Sequence, residues 1–159
     1  RPAQRGDEVV TVDRLLDVVV GAAADRRVRE LLEELRPEMI FVAGDLSDPH
    51  GTHRMCKEAI YRAVEESGQK AEMWLYRGAW QEWPVTDATW LVPLSQEELK
   101  LKIQAIFKHQ SQKDSAPCPG AHDEREFWQR VEARNKETAA MLDRLGLAEY
   151  FAMEAYVVE

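Results

Sequence analysis

Val28, Leu31, Leu32 and Leu35 recur at i, i+3, i+4 and i+7, which places four apolar side chains on one face of a helix beginning near Asp25. Arg36-Pro37 ends it, because a residue preceding proline is pushed out of the helical region. Met39-Ile40-Phe41-Val42-Ala43 is a continuous apolar run, and in an α/β chain that predicts a strand buried on both faces. Residues 44–51 are turn formers, and a second helix is expected over 52–66, closed by Ser67-Gly68. Residues 72–76 and 88–92 read as strands. Ser95-Gln96-Glu97-Glu98 is a capping box, and Leu99, Ile103, Ile106 and Phe107 carry an apolar stripe on to about residue 109. Pro117 and Pro119 mark a loop over 113–122. A long helix from about residue 123 is expected to bury Phe127, Val131, Thr138, Met141, Leu142 and Leu145, with Gly146 just past its end. Residues 155–158 form a candidate final strand, and the charged, Val-rich stretch 7–20 is assigned to no element.

Strands alternating with helices predict an α/β fold, a mostly parallel sheet flanked by helices, and 159 residues suit one domain. Composition narrows the function. A net charge of −8 argues against a binder of nucleic-acid backbones, which would carry a basic stripe. There is no apolar run of membrane-spanning length. Residues 1–8 are polar and contain no signal-peptide core, so a cytoplasmic protein with reduced Cys56 and Cys118 is expected. The chain opens on Arg1 rather than Met, which reads as a start inside a longer polypeptide.

The chemistry concentrates in Ala43-Gly44-Asp45-Leu46-Ser47-Asp48-Pro49-His50-Gly51-Thr52-His53. It follows an apolar strand and opens a helix, where ligands collect in open α/β sheets. Two of only four histidines lie here, three apart and beside aspartates, a donor set suited to a divalent metal, zinc by preference. A structural account competes: Asp48-Pro49 as turn chemistry, Thr52 or Asp48 as helix N-cap, and His53 packed near the apolar side formed by Cys56, Ile60 and Val64.

Asp48-Pro49-His50-Gly51-Thr52-His53 resembles the second signature of the LmbE/PIG-L family of zinc-dependent deacetylases, an Asp/Asn-Pro-His-Pro-Asp-His type of run after a strand. Lys102-Ile103-Gln104-Ala105-Ile106-Phe107-Lys108-His109-Gln110-Ser111-Gln112 is similar to a later element of that family. From about residue 36 onward the chain resembles a variant of the domain found C-terminal to glucosamine-6-phosphate deaminase domains in some bacterial fusion proteins, with Tyr76-Arg77-Gly78-Ala79-Trp80 and Phe127-Trp128-Gln129-Arg130 sharing in the likeness. The resemblance implies the C-terminal part of a single LmbE-like domain spanning 1–159. It implies His53 as a zinc ligand and His50 as the residue that polarises the substrate carbonyl or protonates the leaving group. Asp48 would orient His50 or touch the metal. The implied reaction is N-deacetylation of N-acetylglucosamine-like amino sugars.

The family's first signature, of His-Pro-Asp-Asp type, is absent: no His precedes His50, and Thr52 stands where Asp is common. A catalytic zinc needs three protein ligands, so the chain is expected to be inactive alone. A partial domain would leave apolar surface and sheet edge open, so a homo-oligomer is expected. Two other readings compete. Gly44-Asp45-Leu46-Ser47-Asp48 resembles part of a metallophosphoesterase signature, but the Gly-Asn-His and Gly-His-x-His elements are missing. The second reading is a non-catalytic amino-sugar binding or oligomerisation module. For it, Trp74, Trp80, Trp83 and Trp90 surround Arg77, a candidate to bind a substrate phosphate or carboxylate, with an ordinary surface salt bridge as the alternative. His109 is read as structural, and Glu126 and Arg130 as a surface pair four residues apart.

Overall fold

The computed structural model describes residues 22–44, 51–78, 81–109 and 125–159. The elements are α1 (Ala22–Leu35), β1 (Met39–Ala43), α2 (Thr52–Ser67), β2 (Glu72–Tyr76), β3 (Trp90–Leu94), α3 (Gln96–Ile106), α4 (Phe127–Arg144) and β4 (Ala152–Val158). The strands form one sheet in the order β1-β2-β4-β3.

The helix boundaries follow local chemistry. Ser95 Oγ accepts the Glu98 N–H at 3.2 Å while Glu98 Oε2 accepts the Ser95 N–H at 2.7 Å, the reciprocal capping box expected for α3. α4 ends in a Schellman motif: Gly146, at φ +79°, donates its N–H to Asp143 O at 2.8 Å and Leu147 to Leu142 O at 3.1 Å. α2 starts from Gly51 rather than from Thr52 or Asp48. Gly51 is the N-cap at φ +69°, and Thr52 is already the first helical residue.

The sheet is mixed, which corrects the expectation of a mostly parallel one. β1 and β2 are parallel, from Met39↔Glu72 to Ala43↔Tyr76, but β4 runs antiparallel to both β2 and β3. The connections explain this by parity. A single helix, α2, returns the chain so that β2 repeats the direction of β1, whereas two helices, α3 and α4, lie between β3 and β4 and reverse it. Both successive helices are expected from the sequence, but the expectation of a mostly parallel sheet does not take in their consequence for the direction of the final strand.

Two clusters make the core. Val28 and Leu32 of α1, and Ile60 and Ala63 of α2, close over Val42, Met73 and Leu75. Ala139 and Leu142 of α4 pack on Met153, with Val85 and Leu91 beside them. β1 is not buried on both faces as expected: it is an edge strand, with Ile40 and Val42 toward the helices and Met39 and Phe41 about 40% exposed on the other side. There Phe41, Trp74, Trp90 and Tyr156 form an aromatic cluster with neighbouring ring centroids 5.4–5.8 Å apart. Met141 and Leu145, expected in the core, are exposed near the end of α4. Arg130 is buried rather than on the surface, with Nε donating to Arg125 O at 3.1 Å.

Leu75 lies against both helices of the first cluster and is almost wholly enclosed. Leu75→Ala is expected to lower unfolding free energy by about 2–5 kcal/mol, and Leu101→Ala, at 63% exposure, by less than about 0.5 kcal/mol. Urea unfolding of both variants measures the difference.

Candidate functional site

β4 serves its two neighbours with different ends. Val157 and Val158 pair with Leu75 and Trp74 of β2, and the Met73 and Glu159 backbones exchange two hydrogen bonds. Residues 152–156 pair instead with β3. Past Leu75 the chain of β2 therefore leaves the ladder with β4. The Leu75 carbonyl, on the β4 side, accepts the Trp83 indole N–H at 2.8 Å instead, while the Tyr76 carbonyl, on the β1 side, continues the parallel ladder by accepting the Gly44 N–H at 2.7 Å.

A cavity of about 230 Å³ occupies this opening. Tyr76, Arg77 and Gly78 line it from the end of β2, Glu154 to Tyr156 from β4, Lys102 and Ile106 from α3, and Phe127, Val131, Arg134 and Asn135 from α4. Glu82 completes the wall.

Its polar groups form one network. Lys102 Nζ donates to Asn135 Oδ1 at 2.9 Å and forms an ion pair with Glu154 Oε1. Glu154 Oε2 accepts the Tyr156 hydroxyl at 2.7 Å. Asn135, fully buried, also donates from Nδ2 to Met153 O at 3.1 Å and so ties α4 to β4 beneath the cavity. Burial, and next the nearby Glu154 charge, push the Tyr156 phenol well above its ordinary range, so it stays a donor at neutral pH. The Arg77 guanidinium lies over the Trp83 ring, 3.9 Å from its centroid.

Glu82 is the most perturbed carboxyl group here. Burial raises its pKa from 4.5 to about 7, against the lowering effects of the Trp83 backbone N–H, Lys102 and Arg134. The sequence marked the segment around Glu82 as unusually aromatic but did not single out this residue. Lys102, Arg134, Asn135, Glu154 and Tyr156 were missed as site residues too. Each reads alone as a helix-face or strand residue, and only the mixed topology gathers them.

The residues expected from the sequence divide. Arg77 lines the cavity. His53 is exposed on the first turn of α2, rather than packed near that helix's apolar side. His50 and Asp48 lie outside the described residues, as do Asp45, Trp80 and Cys118. The loop that holds His50 and Asp48 leaves β1 at Gly44, whose N–H bonds the Tyr76 carbonyl, so its first residue adjoins the cavity wall. Among the described residues no three His, Cys, Asp or Glu side chains come together as a metal site. No helix among them is long and apolar enough to cross a membrane. Trp83 and Trp90 divide as well: Trp83 packs against the core and holds Arg77, whereas Trp90 stands 55% exposed in the aromatic cluster.

Comparison with known proteins gives one informative match. The chain is 55% identical over 137 residues, 82% of its length, to a glucosamine-6-phosphate deaminase-like protein of Bacteroides thetaiotaomicron. Identity at that level over most of the chain establishes common descent. The chain spans about a fifth of that relative's length. No family model matches the sequence.

Glu82 makes the site pH-sensitive in a defined direction. A carboxyl whose pKa rises on folding stabilises the fold fully below 4.5, and that contribution is lost as pH rises through about 7. Glu82→Gln, which keeps the shape of the protonated acid, is expected to flatten the loss, a difference on the order of 2 kcal/mol. Urea midpoints of the two proteins from acid to neutral pH test it, and parallel pH profiles would contradict the assignment.

Proposed function

We propose that this chain is the amino-sugar-binding part of a larger amino-sugar-metabolising protein, and that its cavity takes a single hexosamine unit. The observation that carries the reading is the cavity itself: half-open, walled by Tyr76, Tyr156 and Phe127, and set with converging donors and acceptors from Arg77, Lys102, Asn135 and Glu154. A polyhydroxylated ring asks for that combination of apolar wall and directional polar groups. At about 230 Å³ the space is below the ~300–1,000 Å³ of drug-sized ligand sites, which suits one sugar rather than a chain of them. The name carried by the Bacteroides relative supports the ligand class.

N-deacetylation is the chemistry we infer for the larger protein, on the strength of the Asp48-Pro49-His50-Gly51-Thr52-His53 signature and its loop's departure beside the cavity wall. Zinc would supply an acidified water and polarise the amide carbonyl. The described residues of this chain do not make that site. Of the expected donors His53 alone falls among them, against the three that a catalytic zinc requires. Further ligands would come from residues outside the described ones or from elsewhere in the larger protein, and the share we assign to the described cavity is to bind and orient the sugar. Arg77, stacked on Trp83, and Tyr156, whose hydroxyl donates to Glu154 and so can accept from a sugar hydroxyl, are placed to do so.

Titration of the chain with glucosamine and with N-acetylglucosamine, followed by tryptophan fluorescence, tests the binding role. Saturable change is expected, because Trp83 carries the Arg77 guanidinium at the cavity wall. Arg77→Ala should weaken binding by on the order of tenfold, about 1.4 kcal/mol. No response to either sugar would remove the reading. Metal analysis addresses the deacetylase inference separately. The chain should hold well under one zinc, and a longer polypeptide carrying a His-Pro-Asp-Asp segment about one, lost on His53→Ala. A longer polypeptide that binds no zinc would refute it.

A further inference from the structure

Most hydrogen-bonding groups of the cavity network are already engaged. Both oxygens of Glu154 are used, one in the ion pair with Lys102 and one in accepting the Tyr156 hydroxyl. Asn135 accepts from Lys102 at 2.9 Å and donates to Met153 O at 3.1 Å. Glu82 differs. Its Oε1 accepts the Trp83 backbone N–H at 3.0 Å, while its Oε2 has no hydrogen-bond partner among the described residues. The space that Glu82 lines is walled by Lys102 from α3, Arg134 from α4, Glu154 and Tyr156 from β4, and Tyr76 and Arg77 from the end of β2. Two carboxyl groups thus share one small cavity, and Glu154 is the one whose charge Lys102 holds. A second carboxyl group beside a fixed carboxylate, partly shut away from water, favours its neutral form. Lys102 and Arg134 act against that preference, but burial, aided by Glu154, outweighs them and holds Glu82 at a pKa of about 7.

We propose that Glu82 is a specificity-determining residue of the cavity: in its neutral form its carboxyl O–H donates a hydrogen bond to the acetamido carbonyl of an N-acetylhexosamine. The inference rests on the amino-sugar reading of the cavity and adds which form of the sugar it prefers. An amide carbonyl only accepts hydrogen bonds, so it needs a donor. Besides the two guanidiniums, the network offers the Glu82 O–H and the third ammonium proton of Lys102, whose other two go to Asn135 and Glu154. The Trp83 N–H on Oε1 leaves Oε2 as the oxygen to carry the Glu82 proton. A free amino sugar brings an ammonium to the same place, which has protons to donate and no lone pair to accept one. The Lys102 ammonium at the same wall also repels it. Ionisation of Glu82 removes the donor and turns carboxylate lone pairs toward the carbonyl, so binding of the acetylated sugar weakens as pH rises.

Isothermal titration of the full chain with N-acetylglucosamine and with glucosamine, from acid to mildly alkaline pH, tests the idea. At acid pH the acetylated sugar is expected to bind more tightly than glucosamine by on the order of tenfold. Its affinity should stay level below the Glu82 pKa of about 7 and fall on the order of tenfold for each pH unit above it. Glu82→Gln keeps an N–H donor in the same shape at every pH, so it should abolish the fall and hold the acid-pH affinity throughout. Glu82→Ala should bind the acetylated sugar weakly at all pH values, and thermal melting shows whether each variant stays folded. A fall that persists in Glu82→Gln would assign the titration to another group and overturn the inference. The profile of the unaltered chain decides without any variant: affinity for N-acetylglucosamine that does not change with pH, or equal affinity for the two sugars at acid pH, would overturn the inference and leave the amino-sugar reading standing. No binding of either sugar at any pH would overturn both.

Discussion

The position of β4 governs this structure. It enters the sheet between β2 and β3, antiparallel to each, and divides its length between them. β2 leaves β4 after Leu75, the Leu75 carbonyl turns to the Trp83 indole, and an opening appears that residues 154–156 of β4 line. The cavity therefore follows from the topology. The buried Asn135 hydrogen bond to the Met153 carbonyl secures the arrangement by holding α4 on the strand, and the Lys102 bridge to Glu154 and Asn135 brings in α3. Three elements distant in sequence are fixed by one small polar network. In a partly enclosed setting, such a network is strong while satisfied and costly when any member is lost.

Much of the fold could be read from the chain. The strands at Met39–Ala43 and Glu72–Tyr76, the Ser95 capping box and Gly146 beyond α4 all stand where periodicity and capping chemistry place them. These features depend on neighbours a few residues apart. The two helices before β4 were readable too, but which strands β4 lies between depends on contacts between distant segments, and local pattern does not encode that. Met141 and Leu145 show the same limit: their spacing continues the stripe of Leu142, yet Leu142 packs on Met153 and they remain exposed. Phe41 was expected to be enclosed because its strand is uniformly apolar, but an edge position and the absence of a described element over its outer face leave it in the open aromatic cluster.

Of the residues that the sequence singled out, one lies at the cavity. Arg77 stood out among tryptophans, and it lines the cavity. Lys102 lay within a recognised segment without a role, and Glu82 had no signal beyond aromatic neighbours. Its elevated pKa comes from burial that only the packed structure supplies. The histidine signature is the converse case, conspicuous in sequence while His53 stands exposed on the helix and His50 falls outside the described residues. The two kinds of information meet at Gly44, where the signature loop leaves the sheet beside the cavity wall. The relative shares most of this chain and extends far beyond it.

Backbone amide chemical-shift mapping with N-acetylglucosamine tests the central claim most directly, because it reports where a ligand sits without presuming its affinity. The account predicts the largest shifts at Arg77, Gly78, Glu82, Lys102, Asn135 and Glu154, with Met39 and Phe41 on the open aromatic face unmoved. Shifts confined to Met39, Phe41 and Trp90, or spread evenly over the surface, would contradict it.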